Sequence, residues 1–136
     1  MKIVIGFDGS EPAHRALDRA VELFEPHRPE FILVRALTQP MTQSDLAERA
    51  FNEALRQVEE EMEGAARAHL AGREGRMRIR ILEGEARHVL ERVVQEEDPS
   101  VVVLGARGHG KVARVLLGSV CRYAVEHFVQ PVLVVR

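Results

Sequence analysis

Five short apolar runs, each rich in branched residues, are spread along this 136-residue chain with helical-period segments between them. They are Lys2–Phe7 (KIVIGF), Phe31–Leu37 (FILVRAL), Met77–Leu82 (MRIRIL), Val101–Leu104 (VVVL) and Val132–Val135 (VLVV). Runs of this length, bounded by Gly, Pro and polar turn residues, read as strands. Between the first two, Ala13, Ala16, Leu17, Ala20, Val21 and Phe24 recur at helical spacing after Ser10, a candidate N-cap. A long helix is expected from about Ser44 to Ala71, with Leu46, Ala50, Ala54, Leu55, Val58, Met62, Ala65 and Leu70 along one side. Glu59–Glu61 with Glu63 reads as its solvated face, and Gly72 and Gly75 close it. Two further helices are expected over Glu85–Glu97 and from near Ser119 to Phe128.

Strands that alternate with helices imply one α/β domain over residues 1–136. Its sheet is open, parallel and five-stranded, with right-handed crossovers and helices on both faces. The runs at Lys2 and Val101 are the most uniformly apolar and belong at the centre. Arg78 and Arg80 alternate with apolar residues in the third run, which suits an edge strand buried on one face. The resulting order is 3-2-1-4-5. The order in which strands are added then reverses between the first and fourth strands, where such sheets take ligands. Asp8 follows the first strand and Gly105 ends the fourth, so both border that crevice.

The segment after the fourth strand carries Gly105, Gly108, Gly110 and Gly118 and then feeds a helix. Glycines let a backbone approach a ligand closely, and free amides at a helix start favour an anion. The segment is therefore read as a phosphate-binding loop. Gly105 to Val112 reads G-x-x-x-x-G-K-V, short of a P-loop by the Ser or Thr that would bind Mg²⁺. Gly108 to Ala113 reads G-x-G-x-x-A, a Rossmann-like spacing, but it does not directly follow the strand. A third spacing, Gly105-x2-Gly108-x9-Gly118-Ser119, has every fixed position filled.

Composition removes several function classes. A formal charge of −2 offers no basic field for nucleic acid, and no apolar run reaches the ~20 residues a membrane helix needs. No export signal is visible at the N-terminus. Cys121 is the sole cysteine, which excludes an internal disulfide and suits a reducing compartment, so the cytoplasm is expected; the six histidines show no H-x-x-x-H or comparable metal spacing, and one cysteine cannot build a zinc site. Val132–Val135 is apolar without alternation at what should be a sheet edge. An edge of that kind invites pairing, and a homodimer through this strand is expected.

Asp8 after the first strand, the Gly105-x2-Gly108-x9-Gly118-Ser119 spacing and the closing Pro131–Val135 resemble the universal stress proteins, and specifically their ATP-binding branch with its G-x2-G-x9-G-[S/T] motif. GFDGS near the start and LEGEARHVLE in the middle extend the likeness along the whole chain. The resemblance implies an adenine nucleotide alpha hydrolase-like sheet, dimerisation through the last strand, and ATP with Mg²⁺ as ligand. By position it places Asp8 beside ribose and adenine, and the backbone near Ala36 at the adenine edge. Leu104 and Gly105 would line the adenosine pocket, and Gly108 would give the phosphates room and an amide. Gly118, Ser119 and Val120 would donate from the helix start, with the Ser119 hydroxyl on a phosphate. Cys121 stands where such members often have Ser or Thr, so one hydroxyl contact is lost.

Other readings of these residues stay open. Asp8 can cap the first helix region, and Arg107 and Lys111 can be solvated loop charges or phosphate partners. Cys121 reads as a small buried hydrophobe. His109 has no identifiable catalytic partner, and no nucleophile and base stand together, so any turnover should be slow. The expected role is a nucleotide-dependent stress-response or regulatory protein. A slow adenine-nucleotide hydrolase or transferase, and an interaction module without nucleotide, are the alternatives.

Overall fold

In the computed structural model, which describes residues 1–70, 76–107 and 117–136, the strands form one parallel sheet in the order expected. They are β1 (Lys2–Gly6), β2 (Glu30–Leu37), β3 (Arg76–Glu83), β4 (Val101–Gly105) and β5 (Val132–Val135), arranged β3-β2-β1-β4-β5. Between them run the helices α1 (Glu11–Phe24), α2 (Asp45–Leu70), α3 (Ala86–Glu97) and α4 (Ser119–His127). Ser10 caps α1, its Oγ accepting from the Ala13 amide at 3.3 Å, and Pro12 fits the first turn, where no intrahelical donor is needed. Ser44 starts α2 in the same way, accepting from the Ala47 amide at 3.1 Å. Pro26 falls in a 3₁₀ turn, Glu25–His27, which ends at Arg28 in the left-handed region.

Period-two alternation sends Ile3, Ile5, Phe31, Leu33 and Val103 to one face, against α1 and α2. Val4, Ile32, Val34, Val102 and Leu104 face the other way, against α3 and α4. Each side chain fully removed from water contributes roughly 1.5–3 kcal/mol. The central strands are therefore anchored on both sides.

One expectation needs correction. The apolar side of α2 is buried only at Val58, Met62 and Ala65, while Leu46 is 78% exposed and Ala50 and Ala54 face solvent. Length explains this: the 26 residues of α2 span about 39 Å, whereas the eight of β2 span about 26 Å. The front of α2 therefore runs past the end of the sheet. The expected closing residues Ala71, Gly72 and Gly75 lie outside the described residues.

The structure adds something at β3. It is an edge strand with its apolar residues on the core side, as expected, but Arg78 and Arg80 are paired with carboxylates of α3 rather than merely solvated. Arg78 forms two parallel bonds to Glu97 at the end of α3, at 2.8 and 2.9 Å, and a third to Glu30 at 2.9 Å. Arg80 reaches Glu97 at 3.1 Å and Glu96 at 2.7 Å, and Lys2 reaches Glu97 at 3.3 Å. Glu97 is only 9% exposed, and Arg78 and Lys2 hold its carboxyl down at about 2, against an ordinary 4.5. The folded state thus binds the proton more weakly than the unfolded chain. The stability this confers is complete above the unfolded value and disappears as pH falls from about 4.5 toward 2. Partners that are two-fifths exposed reduce the size of the effect. Glu97→Gln should cost about 2 kcal/mol in urea unfolding near pH 7 and close to nothing near pH 2. A deficit unchanged by acid would remove this account.

Candidate functional site

The crevice follows from where the chain goes after β1 and β4. From β1 it turns through Asp8–Ser10 into α1 on one face; from β4 it leads to α4 on the other. Divergence of neighbouring strands opens a gap at their carboxyl ends. A cavity of about 420 Å³ lies there. Its inner wall is apolar, made by Val34 and Ala36 of β2, Leu104 of β4 and Val89 and Leu90 of α3. Asp8, Arg35, Arg107 and Ser119 supply the polar rim. A flat apolar slot with a polar mouth suits a heteroaromatic ring joined to something charged.

Backbone groups at the inner end are directed by strand parity. The Gly84 amide donates to the Leu37 carbonyl at 2.9 Å, so Leu37 serves the β3 side, and the Phe7 amide donates to the Val34 carbonyl at 2.8 Å on the β1 side. Ala36, an even position like Val34, therefore presents its amide and carbonyl toward β1, whose last residue is Gly6. A donor and an acceptor on one peptide edge match a ring that carries both.

The opposite wall is the start of α4. Its first intrahelical bond runs from the Arg122 amide to the Gly118 carbonyl at 3.0 Å, and no side chain caps it. The amides of Ser119, Val120 and Cys121 are thus the donors every helix start leaves over, at the positive end of the dipole. Gly118 also donates to the Ala106 carbonyl at 2.8 Å, and Ala106 donates to Val135 at 2.7 Å. The two ends of the glycine-rich segment are therefore pinned together at the mouth.

Asp8 is half-buried in the rim, and its Oδ1 accepts from the Ser10 amide at 2.9 Å. It shapes the turn, while the cap of α1 is Ser10. Gly105 is pressed against α1: a Cβ there would lie 2.6 Å from the Pro12 carbonyl oxygen. Cys121 is buried, and its thiol donates to the Gly105 carbonyl at 2.8 Å. Burial pushes that thiol up to about 11, so it stays protonated. It is more than a small hydrophobe, because it ties the first turn of α4 to the end of β4.

Eight of the residues expected from sequence line this one cavity: Asp8, Ala36, Leu104, Gly105, Arg107, Gly118, Ser119 and Val120. Gly108, with His109 and Lys111, lies outside the described residues. Sequence reasoning missed Arg35 and the contribution of α3, where Ala86, Val89 and Leu90 reach the cavity. The missed signal was topological. A helix that follows a parallel strand must begin at the carboxyl edge of the sheet, beside any ligand held there. Among the described residues no cluster of three His, Cys, Asp or Glu could hold a metal, and no helix is long and apolar enough to cross a membrane.

Comparison with known proteins gives three results. Residues 1–136 match the universal stress protein family. The protein named universal stress protein in QAH/OAS sulfhydrylase 3′ region, from Thermus aquaticus, is 31% identical over 136 residues, covering 98% of this chain and 97% of its own. Among solved structures, the universal stress protein UspA of Lactobacillus plantarum superposes with a TM-score of 0.81 at 23% identity, covering 100% of this chain and 97% of that one. A universal stress protein family protein of Arabidopsis thaliana, solved with AMP bound, gives 0.66 at 17% identity over 99% of this chain and 90% of its own.

Proposed function

The chain belongs to the universal stress protein family, and from that premise we propose that it binds ATP in the β1/β4 crevice and acts as a nucleotide-dependent regulatory dimer in the cytoplasm. The observation that carries the reading is convergence. An apolar slot, a backbone donor–acceptor edge and a helix start meet at the one place where the sheet reverses. AMP in the Arabidopsis relative supports an adenine nucleotide as the ligand class.

In this reading the adenine lies between Ala36 and Leu104, and the Ala36 peptide pairs with its edge. Asp8 accepts from the ribose hydroxyls. The phosphates extend toward Gly108 and the amides of Ser119 and Val120, with the Ser119 hydroxyl and Arg107 beside them. Mg²⁺ would arrive with the nucleotide, held by phosphate oxygens together with the waters it keeps. Binding rather than turnover is the expected output, because efficient phosphoryl transfer needs a positioned nucleophile and charge-stabilising groups.

The edges of the sheet support the dimer. Arginines 76, 78 and 80 guard β3, whereas β5 offers four half-buried apolar residues and no charge. A second copy pairing β5 to β5 about a twofold axis would cover that edge.

Isothermal titration with Mg²⁺-ATP tests the reading. One site per chain with micromolar affinity is expected, and silence up to about 1 mM overturns it. Sedimentation of the same sample should give a dimer; a monomer removes that part alone.

A further inference from the structure

We propose that Arg35 and Glu61 clamp the Asp8–Ser10 turn in its ligand-binding shape, making Arg35 a positioning residue for the ribose end of the crevice. The inference rests on the nucleotide reading above and adds how its rim is held.

Arg35 is out of pattern. Odd positions of β2 point toward α1 and α2, where Phe31 and Leu33 are fully buried. Arg35 continues that series at the cavity mouth, with only 17% of its side chain exposed. Its Nη1 donates to Glu61 Oε2 at 2.9 Å, crossing from the sheet to α2. Gly9 lies against this pair with φ +78°, and a Cβ there would meet the Glu61 carboxylate and come within 2.9 Å of Arg35 Nη1. The ion pair therefore occupies the space that a side chain at position 9 would take. One residue back, Asp8 Oδ1 accepts from the Ser10 amide, closing the turn from the other side.

A solvent-facing ion pair usually contributes little to global stability. This one is packed on a glycine whose conformation other residues rarely adopt, between Asp8 and the cap of α1. Its effect should thus be local: it limits where the Asp8 carboxylate can go. Removing either partner frees the turn without unfolding the chain.

The test uses the full chain carrying Arg35→Met, Glu61→Ala or both. Exchange of the Ser10 amide, followed by NMR, should speed about tenfold in each single variant, with the thermal midpoint within about 3 °C of the parent. ATP affinity should fall about tenfold, and the preference for ATP over 2′-deoxy-ATP should shrink toward one. The ratio of ATP to AMP affinity should hold, because the phosphate end is untouched. The double variant should be no worse than either single, since both remove one interaction. Glu61→Gln keeps an acceptor for the guanidinium and should recover most of the loss. Unchanged Ser10 exchange overturns the clamp whether or not the parent binds ATP, and so does faster exchange with unchanged ATP affinity. A parent that binds no ATP sinks the nucleotide reading instead, and exchange alone then decides the clamp.

Discussion

Gly105→Ala should lower the thermal unfolding midpoint by about 8 °C, equivalent to about 2–3 kcal/mol. The cause is space and not backbone strain, because the glycines with positive φ among the described residues are Gly9 and Gly84. A methyl group on Gly105 would sit 2.6 Å from the Pro12 oxygen and 2.7 Å from its carbonyl carbon. These are main-chain atoms in the first turn of a helix, so no rotamer change relieves the clash. Either α1 must lift from the sheet or the end of β4 must retreat. The first movement carries the Asp8–Ser10 turn with it; the second shifts the carbonyl that Cys121 donates to. Either movement displaces one wall of the crevice, and ATP affinity should drop by more than tenfold. Calorimetry gives the midpoint directly. A variant as stable as its parent would mean that α1 and β4 are less tightly apposed than described here.

Gly118→Val should separate binding from folding. Gly118 has φ −57° and ψ 159°, a conformation open to any residue, so the backbone itself does not require glycine. Valine is a poor N-cap and should cost about 1 kcal/mol. What it adds is a branched side chain at the cavity wall, beside the leftover amides of Ser119 and Val120. Charged oxygens approaching those amides would meet methyl groups. ATP affinity should fall about a hundredfold, nearly 3 kcal/mol, which exceeds the stability cost several-fold. Titration of a variant whose midpoint lies within about 4 °C of the parent provides the check. Retained micromolar binding would exclude the start of α4 as the phosphate site.

Much of this arrangement was legible in the residues. Strand order followed from which runs alternate and which do not, and the crevice followed from the order. Asp8 and Gly105 could be placed together because each ends a central strand. Side-chain partners drawn from distant elements were not legible. Arg78 and Arg80 alternate as residues facing water do, and nothing local shows that Glu96 and Glu97 arrive over them from α3. The periodicity of α2 is the same along its whole length, although the sheet ends before the helix does. Arg35 was hidden for a related reason: a charged residue inside an apolar run looks like an interruption until its partner on α2 is known. Local pattern reports which face is apolar. Only the assembled fold reports what that face meets.

The largely exposed front of α2 has a mechanical consequence. From Asp45 to Val58 the helix is a rod of about 20 Å anchored at one end, so a pivot of about 5° sweeps its tip through roughly 1.7 Å. Glu61 sits one turn behind that fulcrum and grips the rim of the crevice through Arg35. A displacement of Glu61 at the pocket would therefore be enlarged at the remote, solvent-facing tip of this helix.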